Sequence, residues 1–276
     1  MAVIAAFKDG WTALLENPIL LAAGFVYAVG SQLVTVGELT GSLAVSVVAS
    51  VAWFLLFPFV LGGLIGAALE AVRGAETSFG RFLGTGRQYY LRLLLATVLF
   101  AVLVFGFVIV TMIPSFVAGF GVVGLAGIDE TAAIGAGILL FVGYVLLVAF
   151  FIMFIQFYDA AIVVDEESTL AAFSRSVGLV RRNLLSVIGY SILWAVLLNL
   201  LLVPEYLLQA TIDEAPFLPA IDPTVAQLLL IPAGIVLGTF AFAYLYTVHT
   251  AYYVRIALGE DDGADGTAGV QTPPAD

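Results

Sequence analysis

Between two long apolar runs, residues 156–190 read QFYDAAIVVDEESTLAAFSRSVGLVRRNLLSVIGY and gather Asp159, Asp165, Glu166 and Glu167 with Arg175, Arg181 and Arg182. Acids beside arginines suit chemistry on lipid head groups. The carboxylates would hold a metal or move a proton, and the guanidiniums would grip a phosphate through paired hydrogen bonds. Asp159, Asp165 and Glu166 are the acids on which such chemistry would rest. His249, the one imidazole of the chain, stands near the end of another apolar run, where a proton relay or an interfacial hydrogen bond would use it. Gln32, Gln156 and Asn199 lie deepest in apolar sequence. With Asp159 and His249 they suit either interhelical hydrogen bonds or the lining of a solute pathway.

Other marks of catalysis are missing from the sequence. There is no cysteine, hence no thiolate nucleophile, disulfide or cysteine metal site, and a single histidine argues against zinc or haem. No Walker loop, HExxH, GxSxG or dinucleotide fingerprint occurs. Asp159 is expected at the water-facing end of its apolar run, which leaves no acid at mid-depth and weighs against proton- or sodium-coupled transport. The expectation is a non-enzyme with no catalytic residue, metal or cofactor and no nucleic-acid partner.

The elements that must carry these residues are membrane spans. Hydrophobic residues make up 62% of the chain and charged ones 11%, with a mean hydropathy of +1.13, too little polar material to cover a water-soluble fold of this length. Six segments approach or exceed the roughly 20 apolar residues a span needs: 19–36, 43–69, 91–113, 133–157, 184–204 and 225–250. The third is expected to break at Pro114. No cleavable signal is evident in MAVIAAFKDGW. All nine lysines and arginines fall before odd spans or after even ones, and none falls in the alternate loops. By the positive-inside rule both termini are expected in the cytoplasm, and the location is the cell membrane. The 20 acids, with one lysine against eight arginines, suit a halophilic, archaeal protein whose carboxylates hold water in strong salt.

Each odd span is preceded by a segment of similar shape. FKDGWTALLENPILL (7–21), FGRFLGTGRQYYLRL (79–93) and FSRSVGLVRRNLLSV (173–187) align without gaps on Phe7, Phe79 and Phe173, with Asn17 over Asn183 and Gly84 over Gly178. In the third copy Leu170, Phe173, Val177, Val180 and Leu184 share one helical face, opposite Arg175 and Arg182. Such helices rest in the membrane interface. The fold expected is therefore an all-α membrane protein: six transmembrane helices in three repeats of an interfacial helix plus a hairpin. One domain covers 1–258, in units of about 1–70, 71–164 and 165–258, followed by an acidic disordered cytoplasmic tail, 259–276. Arg81, Arg87, Arg92, Arg175, Arg181 and Arg182 are the expected contacts to lipid head groups. Asp165 or Ser168 would cap the third interfacial helix, Glu70 would pair with Arg73 at a helix end, and Gly178, Gly62 and Gly66 would serve close packing.

The wording of 156–190 and, more weakly, GWTALLENPILL resembles a pattern in uncharacterised multi-pass membrane proteins of haloarchaea. It is more distantly similar to the membrane domain attached to some glycerophosphodiester phosphodiesterases, whose soluble catalytic domain has no counterpart here. The resemblance implies the multi-pass fold and no particular activity. Three readings follow: a lipid-interacting or scaffolding component with membrane lipids and an unidentified membrane protein as partners; a permease for a small or amphipathic solute; and a lipid head-group enzyme. A polar cavity reaching mid-membrane favours the permease, a closed apolar bundle the scaffold, and clustered carboxylates the enzyme.

Overall fold

The computed structural model describes residues 2–125, 130–212 and 222–264, and among these the chain is helical with no strand. Helix α1 (Ala2–Glu16) leads into the hairpin α2 (Ile19–Leu39) and α3 (Leu43–Val72). The second hairpin is α4 (Phe79–Leu125) and α5 (Glu130–Ile155). Two short helices, α6 (Tyr158–Val164) and α7 (Thr169–Arg182), precede the third hairpin, α8 (Leu184–Ile212) and α9 (Pro223–Ala264).

Six of these helices, α2, α3, α4, α5, α8 and α9, carry stretches long and apolar enough to cross a membrane. In the most apolar windows of α4 and of the α5–α6 run only 17% and 11% of residues are buried inside the protein. Large side chains such as Phe105, Leu139 and Phe141 stand outward on them. Apolar surface on that scale cannot face water, so the protein is a multi-pass membrane protein whose outer solvent is lipid.

The spans close into a ring in the order α4, α3, α2, α9, α8, α5, with α5 against α8 the loosest seam among the described residues. Glycine sets the tight contacts. A Cβ on Gly24 of α2 would lie 2.4 Å from the Thr239 carbonyl oxygen of α9, and one on Gly63 of α3 would lie 2.6 Å from the Phe82 carbonyl oxygen of α4. Gly62 and Gly66 also face α4, against Leu93 and Thr85. Gly178 and Gly84 meet nothing within 4 Å at that position, so the close-packing role expected of Gly178 is not theirs.

Several expectations about the short helices change. Pro114 does not break α4, which runs through it. A proline forfeits one backbone bond, a loss membrane helices tolerate. Residues 79–90 form no separate interfacial helix but the first turns of α4. The local reason lies in the alignment. Asn17 and Asn183 end α1 and α7, each donating from its side-chain amide to the carbonyl four residues back, Ala13 at 3.1 Å and Leu179 at 3.1 Å. The matching position of the second copy is Tyr89, which offers no such bond, and the helix continues.

Helix α7 is turned differently from the expected interfacial pose. Ala172, Phe173, Ser176, Leu179 and Val180 point into the protein, while Leu170 is 72% exposed. Ser176 decides the rotation. Its hydroxyl donates to the Phe154 carbonyl at 2.9 Å and accepts the Phe157 N–H at 3.1 Å, joining α7 to the break between α5 and α6. Phe173 then stacks on Tyr158 at 5.0 Å. Ser168 precedes α7 without a side-chain capping bond. The part of the expected tail up to Ala264 continues α9, and 265–276 lie outside the described residues.

Candidate functional site: a cavity over a carboxylate–histidine–tyrosine chain

Where α5 ends, Gln156 and Phe157 form a turn, and α6 begins with Asp159 directed inward. Asp159 is 6% exposed and does not reach water at the helix end as expected. Its Oδ1 accepts the Ala160 N–H at 2.8 Å and lies 3.1 Å from His249 Nε2 on α9. The other ring nitrogen, Nδ1, is 2.9 Å from the Tyr190 hydroxyl on α8. His249 is itself 7% exposed, buried rather than interfacial, and its ring stacks on Phe157 at 5.2 Å. Three elements thus contribute one chain of polar groups, separated by 90 and 59 positions in sequence.

One tautomer satisfies the chain. Neutral His249 donates Nε2–H to Asp159 and accepts the Tyr190 O–H at Nδ1. A protonated ring would turn both nitrogens into donors and leave the fully buried Tyr190 proton without an acceptor among the described residues. The set then carries one negative charge. Tyr190 lies six residues into α8, about 9 Å from its start at 1.5 Å per residue, so the charge sits inside the bundle.

Above it opens a cavity of about 630 Å3 with residues from all six spans in its walls. Its sides are aromatic: Tyr27, Trp53, Phe57, Phe100, Trp194 and Tyr246. Its floor is polar: Asp159, His249, Tyr190, Gln156 and Thr97. No lysine or arginine lines it. Ser50, also in the wall, lies seven residues, about 10 Å, from the opposite end of α3. The cavity therefore crosses the middle of the bundle. The walls are fixed by mutual packing: Tyr27 meets Trp53 edge-on at 5.3 Å, and the Trp194 indole donates to the Leu245 carbonyl at 3.3 Å.

The other polar candidates separate. Gln156 bonds Ser191 of α8 at 3.0 Å, an interhelical link at the cavity floor. Gln32 is buried with its Oε1 lacking a partner among the described residues, and it packs near Gly234 and Glu205. Asn199 is exposed, donates to Ala195 of its own helix at 2.8 Å and is not in the cavity lining.

Below the cavity a second polar layer ties the short helices down. Asp165 Oδ2 accepts from Arg175 Nε at 3.1 Å and from the Tyr253 hydroxyl at 2.6 Å. Burial draws the Arg175 pKa down, but its hydrogen bonds to Asp165 and Tyr253 and the Asp165 charge outweigh that and hold it above its ordinary value. Arg92 donates to the Glu166 carbonyl at 2.9 Å, where Glu166 holds a left-handed backbone of φ 56°. Arg81 pairs with Glu70 at 3.1 Å, so Glu70 reaches into the next unit rather than back to Arg73. Arg255 pairs with Asp9. Arg87 stands beside Tyr90 and Leu56 in a shallow outer groove. Arg181 and Arg182 are exposed at the end of α7. Of the arginines expected at lipid head groups, Arg81, Arg92 and Arg175 thus each have an intramolecular partner.

Sequence reasoning named Asp159, His249 and Gln156 but did not join them, and it missed Tyr190. A tyrosine eight residues beyond the charged end of α7 at Arg182 reads as an interfacial anchor, and only the third dimension turns it toward α9.

Residues 1–256 match the family model described as a Domain of unknown function (DUF7847). No curated protein and no solved structure matches the chain.

Proposed function

This chain belongs to the DUF7847 family, and we propose that it binds an amphipathic small molecule in the centre of the bundle and passes it through the membrane, as a permease does. The carrying observation is the cavity of about 630 Å3 that crosses mid-depth with aromatic walls and a polar floor. A pure scaffold has no need to keep such a space open, because an apolar bundle gains by filling it. The loose α5–α8 seam, flanked by the cavity residues Ile152 and Trp194, is the side on which the ring opens most readily. In this reading the two inward carboxylates serve structure and binding: Asp165 is held by Arg175 and Tyr253, and Asp159 by His249.

The test uses protein in nanodiscs and N-phenyl-1-naphthylamine, a neutral fluorophore that accepts energy from tryptophan. Trp53 and Trp194 should transfer to it in a saturable manner. Ala101→Trp, which fills the cavity from α4, should abolish the saturable part and leave the linear lipid background. A signal equal to that of empty nanodiscs would remove the reading.

The orientation proposed is the one with both termini in the cytoplasm of a halophilic archaeal cell, membrane lipids covering the outer belt. The nine-to-none distribution of bases supports it, as does the acidic, lysine-poor composition. An impermeant thiol reagent applied to intact cells should label Glu38→Cys and spare Glu76→Cys and Ser174→Cys. Labelling of all three alike would refute it.

A further inference from the structure

We infer that the occupant of the cavity is an organic cation with an apolar body, such as a quaternary ammonium or phosphonium compound. The inference rests on the binding role just proposed and adds the charge of the ligand. The site carries one negative charge and no guanidinium or ammonium to offset it: Asp159 is the carboxylate in the lining, and lysine and arginine are missing from it. Asp159 spends Oδ1 on His249 and Ala160, while Oδ2 has no hydrogen bond among the described residues. That oxygen is not sealed off by protein and borders the cavity, where a bound cation would meet it.

The walls match the same ligand. The rings of Tyr27, Trp53, Phe57, Phe100 and Tyr246 line the space above that charge, and a cation without N–H groups is bound by ring quadrupoles and a nearby carboxylate rather than by hydrogen bonds. Hydrogen-bond donors that would welcome an anion are few. The Tyr190 proton is turned to His249, the Trp194 indole N–H to Leu245, and the Thr97 hydroxyl to Leu93. Hydroxyls of Ser50, Tyr27, Tyr158 and Tyr246 also line the space, but the Asp159 carboxylate on the floor repels an anion.

Three probes of one size separate the terms: benzyltrimethylammonium, its neutral carbon isostere neopentylbenzene, and the anion benzylsulfonate. Binding is read from quenching of Trp53 and Trp194 fluorescence in nanodiscs, with empty nanodiscs subtracted. Wild-type protein should bind the cation at least about tenfold more tightly than the neutral isostere, since a carboxylate and several ring faces contribute together, and should not bind the anion. Asp159→Asn keeps an oxygen to accept from His249 and should cost the cation about tenfold or more while leaving neopentylbenzene unchanged. Trp53→Leu removes a ring face without touching the charge and should also weaken the cation selectively, which carries the test if Asp159→Asn fails to fold. Equal binding of cation and neutral isostere by wild-type protein overturns the inference and leaves the cavity reading standing. Tighter binding of benzylsulfonate overturns it as well. Saturation by none of the three removes both.

Discussion

Gly24→Leu should leave almost no folded protein, and Gly24→Ala should already lower thermal stability measurably. The Cβ of any residue at position 24 would stand 2.4 Å from the Thr239 carbonyl oxygen and 2.8 Å from the Ala243 Cβ. The first of these neighbours is backbone and cannot rotate away, so α2 and α9 would have to part. Overpacking a tight interior costs about 1–3 kcal/mol for small additions, and a leucine against backbone exceeds that, in a protein whose whole stability is of the order of 5–15 kcal/mol. In the same assay Gly178→Ala should be neutral or stabilising by about 0.5–1 kcal/mol, because its Cβ meets open space and alanine holds a helix better. The measurement is the yield of monodisperse protein and its thermal unfolding in detergent. Equal tolerance at both glycines would mean that α2 and α9 do not touch as described.

His249→Leu is expected to be the most damaging change at the cavity floor. It leaves the Asp159 carboxylate buried with the Ala160 N–H as its remaining partner and strips the Tyr190 hydroxyl of its acceptor. Removing one member of a buried ionic set costs about 3–5 kcal/mol, chiefly the cost of the charge left behind. Asp159→Asn should cost much less, since the amide oxygen still accepts from His249. The double change Asp159→Leu with His249→Leu should be milder than the sum of its parts, because no charge remains to be buried. Thermal unfolding of the parent, the three single variants His249→Leu, Asp159→Asn and Asp159→Leu, and the double variant at neutral pH decides the matter. If His249→Leu proves as stable as the parent, water from the cavity solvates Asp159 and the chain of bonds does not hold the helices together.

The six spans, their order and the gathering of every base at the same set of span ends were legible in the sequence, because lipid demands long apolar helices and each apolar residue reports that demand locally. The ends of α1 and α7 were legible for a similar reason: Asn17 and Asn183 bond to their own helices, and the match between them is visible in the alignment.

The site was not legible in that way. Asp159 and His249 stand near span ends in sequence, where polar residues ordinarily meet water. Whether each turns outward or inward depends on helix rotation, and rotation is set by partners tens of positions away. The break at Gln156 and Phe157 points Asp159 inward, and that break is held by Ser176 of α7. The same serine moved Leu170 out and Leu179 in, against the apolar spacing. In a chain where nearly every span residue is apolar, hydrophobicity fixes which segments enter the membrane but carries little contrast between their faces. Helix facing was therefore decided by the few side-chain hydrogen bonds and close glycine contacts, and these exist only once the ring of helices has closed.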